Sequence, residues 1–223
     1  MALDPASYPL LWALSDATGL RPEYVIPVLF SESGLNPAAR NSLNYSGLNQ
    51  ISASYLSSRG ISVDDYVTWP ASAQIQKVVI PFMTGLVRAL GPIKSGARLY
   101  QANFLPASVK TARALSSVLA SSPSAVYNAN AGLDSDRSGS ITVQDMANAV
   151  ARAAKASLVV ASINAAYALR PNENPRDPVY GEDFGMSALA TGALVTAIVA
   201  GSYLTARYIR TGRAPWEGKL LQW

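Results

Sequence analysis

Glu32 is the acidic side chain whose setting in the sequence best suits acid–base chemistry. It follows Val25, Val28 and Leu29 by seven, four and three positions, so these apolar residues share its face of a predicted helix. A carboxylate on such a face loses hydration and lies at the negative end of the helix dipole, and both effects raise its pKa. A carboxyl group that keeps its proton near neutral pH can act as a general acid. The spacing alone is more typical of a solvated helix cap or a hydrogen-bonded structural group.

The composition of the 223-residue chain excludes several kinds of catalysis. It contains neither histidine nor cysteine, so Ser–His–Asp and Cys–His mechanisms and thiolate or imidazole zinc sites are impossible. Any catalysis must use carboxylates, tyrosines, lysines, hydroxyls or amides. The net charge of +4 suits an acidic polymer such as a cell wall. Because the basic residues form no dense cluster, we expect no specific nucleic-acid partner.

The periodicity of apolar residues predicts a mainly α fold that places Glu32 at the end of its second helix. Pro22 begins this helix, and Ser33-Gly34 and Asn36-Pro37 end it. Residues 38–50 are rich in Asn and Ser and are predicted to form a loop. We found no convincing run of alternating residues that would predict strands. Further helices are predicted near 52–58, 75–90, 96–101, 106–119 and 143–169.

Three short motifs accompany Glu32 along the chain. Residues 32–37 read ESGLNP, residues 46–50 read SGLNQ and residues 100–106 read YQANFLP. In this order they resemble motifs of the lysozyme-like lytic transglycosylases of bacterial cell walls and phage particles, over about residues 10–119. The sequence departs from the family pattern at Asn49, where Met is usual, and in the last motif, where Tyr-Asn-Ala-Gly is commoner.

The resemblance implies a lysozyme-like domain that cleaves peptidoglycan with Glu32 as its catalytic acid and base, without a cofactor. It also implies that the sugars are bound by hydrogen bonds, by stacking on an aromatic ring, and by backbone that approaches them closely at Gly47 and Leu48. Ser33 would bond substrate or Glu32, Tyr100 would stack on a sugar ring or bond near Glu32, and Asn103 would orient a substrate amide. Ordinary structural roles are the alternatives. The substrate-binding residues so implied are Ser33, Gly47, Leu48, Gln50, Tyr100 and Asn103.

Residues 134–145 follow the spacing of an EF-hand calcium loop. Gly139 occupies the sharp-turn position and Ile141 the apolar position, while Ser138 and Asp145 replace the more usual Asp/Asn and Glu. These replacements favour a modest affinity. Because the sequence shows no second such loop, we expect a structural rather than a sensory role for Ca²⁺. An Asx-rich turn that caps the next helix without metal is the alternative. The predicted ligands are Asp134, Asp136, Ser138, Ser140, Thr142 and Asp145.

The C-terminal part of the chain contains a 23-residue segment without charge, residues 184–206. Its length suffices to cross a bilayer, but its many small residues also suit close packing against virion proteins. A Pro-rich segment precedes it and a basic tail follows it. The sequence thus predicts a transglycosylase domain, an EF-hand-like module, a linker, a hydrophobic helix and a tail, at residues 1–122, 123–170, 171–183, 184–206 and 207–223.

The cellular setting is predicted from a combination of these features. A wall-cleaving enzyme must reach peptidoglycan, yet the first twenty residues contain Asp4 and Asp16 and no basic residue, which is not typical of an export signal. We therefore expect an enzyme carried in a phage particle that opens the wall locally during genome delivery. The alternatives are a hydrolysing lysozyme and a non-catalytic virion structural or wall-binding protein.

Overall fold

A computed structural model describes residues 3–184, and this part of the chain is mainly helical, as the sequence predicts. Most helix ends coincide with local signals, since Pro22 begins the second helix and Gly19 and Gly34 follow the first two in left-handed conformations. The helices are α1 Ser7–Thr18, α2 Pro22–Ser33, α3 Ala53–Ser57, α4 Val63–Tyr66, α5 Ala71–Gln74, α6 Ile80–Leu90, α7 Gly96–Phe104, α8 Ala125–Asn130, α9 Val143–Ala154 and α10 Ser157–Tyr167. A π-helical turn, Ile75–Val79, joins α5 to α6.

Two short antiparallel ribbons supplement the helices. Strand β1 (Tyr45–Ser46) pairs with β2 (Ile51–Ser52), and β3 (Val118–Ser121) pairs with β4 (Ser140–Thr142). Strands of two to four residues are too short to show the alternating pattern from which strands are predicted.

The helix predicted over residues 106–119 is wrong beyond its first turn. A 3-10 helix, Pro106–Lys110, ends near Thr111. The guanidinium group of Arg98 then donates to the carbonyl oxygens of Ala112 and Arg113 at 3.0 and 3.1 Å. These oxygens therefore bond to a side chain of α7 instead of continuing a helix.

The single helix predicted over residues 143–169 is two helices. A bend of 78° separates α9 from α10. Across residues 3–184 no single helix is long and apolar enough to cross a membrane, although α9 and α10 together meet that test by length and composition. The predicted hydrophobic segment beyond Phe184 and the basic tail lie outside the described residues.

Helix α2 packs against α1, α7, α9 and α10, and its apolar residues Val25, Val28 and Leu29 are fully buried. The described residues, 3–184, group as one compact unit. The small residues of α9 permit close packing on α7. At the start of α7, a side chain at Gly96 would overlap the carbonyl oxygen of Pro178 and the side chain of Val150.

Residues 171–183 are packed against the helices and do not form the semi-rigid linker that their prolines predict. The carbonyl oxygens of Pro178 and Val179 each accept a hydrogen bond at 3.0 Å from the first two backbone N–H groups of α7. The backbone N–H of Arg176 donates to Glu23 on α2, also at 3.0 Å. This segment thus supplies acceptors for the first N–H groups of α7 and a donor for the buried carboxylate of Glu23.

Candidate functional site around Glu32

Glu32 lies in the last turn of α2 and is only partly exposed. Burial raises the pKa of its carboxyl group to about 7, and a hydrogen bond from Asn103 opposes this shift. The carboxyl group is therefore protonated in a substantial fraction of molecules at neutral pH. The raised pKa that the apolar neighbours of Glu32 predict is therefore present in the structure.

Two amide side chains lead to the carboxyl group of Glu32. Asn103 Nδ2, on α7, donates to Glu32 Oε1 at 2.9 Å. Asn49 Nδ2, in the loop before β2, donates to Asn103 Oδ1 at 3.0 Å. Asn103 was predicted to orient a substrate amide, and in the structure it binds the catalytic candidate itself. Asn49 was not predicted as a site residue, although its departure from the family pattern marked the position.

Ser33 joins the end of α2 to the loop at residues 46–50. Its hydroxyl oxygen lies 3.0 and 2.9 Å from the carbonyl oxygens of Leu29, one turn earlier, and Leu48, so its single proton is shared between these two acceptors. The contact with Glu32 that was predicted for Ser33 as one alternative is not made. The N–H of Leu48 donates to Gln74 Oε1 at 3.0 Å. Ser33 and Gln74 therefore hold both backbone groups of Leu48, which has no exposed surface.

Gly47 and Gln50 shape the turn between β1 and β2. Both have positive φ, +73° and +43°, and the side-chain amide of Gln50 donates to the Gly47 carbonyl oxygen at 3.0 Å. A Cβ at Gly47 would overlap the ring of Tyr66 and lie 2.5 Å from Gln74 Oε1. The glycine is thus required by close packing inside the protein, and this structural alternative explains it without a sugar.

Tyr100 is a core residue next to the site. Only 5% of its surface is exposed, so the predicted stacking on a sugar ring is wrong for this conformation. Burial and the nearby charge of Glu32 raise the pKa of its hydroxyl group. Tyr100 therefore stays neutral.

One cavity among the described residues lies away from Glu32. It has a volume of about 370 Å³ and lies where α1, the start of α2 and the segment after α10 meet. Trp12, Arg21, Tyr24 and Arg170 contribute to its wall. None of the predicted catalytic or substrate-binding residues lines it.

The acidic loop has the hydrogen bonding of a preformed turn. Asp134 accepts backbone N–H groups from Ser138 and Gly139 at 3.1 and 2.9 Å and the hydroxyl of Tyr127 at 2.8 Å. Burial raises the pKa of Asp134, but these hydrogen bonds outweigh it and hold the pKa below its usual value. The turn glycine, Gly139, has φ +81°.

Asp145 closes the loop from the first turn of α9. One carboxylate oxygen accepts the N–H and hydroxyl of Ser135, and the other accepts those of Thr142. Burial raises the pKa of Asp145, but the hydrogen bonds from Ser135 and Thr142 lower the pKa by more than burial raises it. The carboxyl group of Asp145 therefore remains ionised. Carboxylate oxygens of Asp134, Asp136 and Asp145 lie within 4.8 Å of one another, a cluster that could hold a metal ion. The predicted helix-capping role of this loop is also present, since Thr142 and Asp145 form a capping box.

Comparison with protein-family models, with curated proteins and with solved structures finds no match for this chain.

No carboxylate among the described residues contributes to the pKa shift of Glu32. Burial and Asn103 are the causes of its shift. The two acids between Glu32 and Gln101 in the sequence are otherwise engaged: Asp64 is 87% exposed and pairs with Arg40, and Asp65 accepts a hydrogen bond from Ser62. This arrangement suits one group that gives and later takes back a proton.

Proposed function

We propose that this protein is a peptidoglycan lytic transglycosylase with a lysozyme-like catalytic domain in which Glu32 is the general acid and base. The observation that carries the proposal is the pKa of Glu32, which burial raises to about 7 while Asn103 binds the carboxylate. A general acid works best when its pKa lies near the working pH. The order of the ESGLNP, SGLNQ and YQANFLP motifs supports the same activity.

The proposed reaction needs only one carboxyl group. Protonated Glu32 gives its proton to the oxygen that links N-acetylmuramic acid to N-acetylglucosamine, and the bond from that oxygen to the anomeric carbon breaks. The N-acetyl oxygen of the muramic acid bonds to the anomeric carbon as the leaving sugar departs with its new hydroxyl group. Ionised Glu32 then takes the proton from the C6 hydroxyl, whose oxygen displaces the N-acetyl oxygen and closes a 1,6-anhydro ring. No water is consumed.

A hydrolysing lysozyme is the nearest alternative reaction. Retaining and inverting glycosidases use a second carboxylate on the other side of the scissile bond, and no carboxylate contributes to the shifted pKa of Glu32 among residues 3–184. Mass spectrometry of purified peptidoglycan digested by the protein separates the two reactions. We expect anhydromuramic acid ends; reducing ends would identify a hydrolase instead.

We propose that the enzyme is carried in a phage particle and acts on the host cell wall, held by the segment at residues 184–206 in a membrane or against virion proteins. The support is from the sequence: a set of motifs that resembles wall-degrading enzymes and an uncharged segment that is long enough to span a bilayer. Quantitative proteomics of purified particles tests the location. We expect the chain in particles, and its absence from them would contradict this part of the proposal.

We propose further that the acidic loop binds Ca²⁺ as a structural ion. Asp134, Asp136, Ser138, the Ser140 carbonyl oxygen, Thr142 and Asp145 would supply the oxygen ligands. The three acidic side chains of the loop already point to a common centre, so an ion there would offset their mutual repulsion.

Calorimetric titration with CaCl₂ tests this site on the full chain. The wild type should bind one Ca²⁺ and unfold at a higher temperature with it, whereas Asp136→Ala should lose both effects because the exposed Asp136 supplies a ligand. Asp64→Ala, which removes an exposed carboxylate outside the loop, should behave like the wild type. Equal thermal stability of the wild type with and without Ca²⁺ would show that the loop is a helix cap only.

A further inference from the structure

The amide groups of Asn49 and Asn103 form a polar chain that ends on Glu32. An amide group offers a donor on one side and an acceptor on the other, so the orientation of one amide determines that of the next. Because Asn49 donates to the oxygen of Asn103, the nitrogen of Asn103 faces Glu32. This orientation stabilises the ionised carboxylate.

The outer end of Asn49 is not held by a hydrogen bond. Its side chain is 1% exposed, and its Oδ1 is buried without a partner among the described residues. If both amide groups rotate by half a turn, nitrogen and oxygen exchange places at almost unchanged positions. Asn103 then presents its oxygen to Glu32 and donates to the oxygen of Asn49. The two amides and Glu32 are then still joined by two hydrogen bonds, and no side-chain hydrogen bond of either asparagine to another described residue is broken.

We propose that Asn49 and Asn103 form a two-amide relay whose hydrogen bonds reverse direction when Glu32 gains or loses its proton. In one direction Asn103 donates to the carboxylate, and in the other it accepts from the neutral carboxyl group. Asn49 is therefore a positioning residue that acts on Glu32 through Asn103. The role of the relay in catalysis rests on the proposed function, because an acid that later serves as a base needs support in both states.

On the helices packed against α2, two titratable or charged side chains, Tyr100 and Arg152, are linked electrostatically to Glu32 or to its neighbour. On α7, Tyr100 faces Glu32 and stays neutral, and on α9 Arg152 acts on Tyr100. The remaining groups on those helices are engaged elsewhere: Arg98 with Gln101, Asp145 with Ser135 and Thr142, Tyr167 with Glu23, Asp16 with Arg170, and Tyr8 with the Leu3 carbonyl oxygen. Glu32 is thus the group whose titration would reverse the relay.

Nuclear magnetic resonance of the full chain, without substrate, tests the relay directly. We would follow the carboxyl carbon of Glu32, assigned with Glu32→Gln, and the side-chain nitrogens of both asparagines from pH 5 to 9. In the wild type, the Asn49 nitrogen should titrate with the midpoint of Glu32, near pH 7. In Asn103→Leu, Glu32 should still titrate while the Asn49 signal no longer follows it. An Asn49 signal that ignores Glu32 in the wild type, or follows it equally in Asn103→Leu, would overturn the relay.

Activity measurements provide a second test. Asn49→Leu should lower kcat on peptidoglycan about tenfold, as expected for loss of one hydrogen bond to a buried amide. Added to Asn103→Leu, it should have no further effect, because Asn49 acts only through Asn103. Full additivity would contradict the relay while leaving the proposed function intact. If the NMR coupling is found but the wild type leaves peptidoglycan uncut, the proposed function fails and the relay remains.

Discussion

Replacing Glu32 with Gln is expected to reduce peptidoglycan cleavage by about 10³-fold or more, since in the proposed reaction this one group makes both proton transfers. Gln keeps the size of the side chain and an oxygen that can accept the hydrogen bond from Asn103 Nδ2. The substitution removes the ability of the side chain to give and take a proton near neutral pH. The measurement is the rate of release of anhydro-muropeptides from purified walls, with wild type and variant side by side.

The same substitution is expected to stabilise the fold at alkaline pH. The pKa of Glu32 is raised from 4.5 to about 7 by folding, so its contribution is fully present below pH 4.5 and is lost as pH rises through 7. Above that, the buried charge costs roughly 2 to 3 kcal/mol. Glu32→Gln carries no such charge and should gain about that free energy of unfolding at pH 8.5 relative to wild type, measured by urea titration.

Glu173→Gln is the matched control, because it makes the same chemical change at an exposed carboxylate that pairs with Arg21. It should retain wild-type activity and gain no stability at pH 8.5. Unchanged wall cleavage in Glu32→Gln would exclude the catalytic role and favour a non-catalytic wall-binding or structural protein. Cleavage by the wild type should also fall as pH rises through about 7, because the ionised carboxylate has no proton to give.

Gly47→Ala is expected to destabilise the protein by about 3 kcal/mol. The left-handed φ of +73° costs roughly 1 kcal/mol for any residue with a Cβ. The added methyl group also overlaps the ring of Tyr66 and approaches Gln74, which are both fully buried, and overpacking of this kind costs about 1 to 3 kcal/mol. Because Gln74 binds the N–H of Leu48, the loop that carries Asn49 should shift and activity should fall as well.

Gly60→Ala separates the two contributions. Gly60 has a similar φ of +70°, but its Cβ would meet nothing within 4 Å. This variant should lose only about 1 kcal/mol and keep its activity. Urea unfolding of both variants, with m-values equal to that of the wild type, gives the comparison. Equal losses in the two variants would mean that Tyr66 and Gln74 move aside at no cost.

Local features of the structure were predictable from the sequence because they depend on neighbouring residues. Gly19 and Gly34 end α1 and α2 with left-handed conformations, and Pro22 begins α2. The turn at residues 134–145 is held by bonds within itself, from Asp134 to the backbone of Ser138 and Gly139. The raised pKa of Glu32 also followed from residues of its own helix, whose buried face is visible as a pattern of apolar side chains.

Features that join distant segments were decided only by the tertiary structure. Nothing near Asn49 in the chain indicates that its amide meets Asn103, or that Asn103 in turn meets Glu32. Tyr100 looks the same in sequence whether it stacks on a ligand or fills the core, and only its burial decides. Likewise, the prolines of residues 171–183 predict stiffness but not the carbonyl positions that complete the first turn of α7. Such contacts depend on the path of the whole backbone, which brings together residues that are far apart in the sequence. The pattern of neighbouring residues cannot predict such pairs.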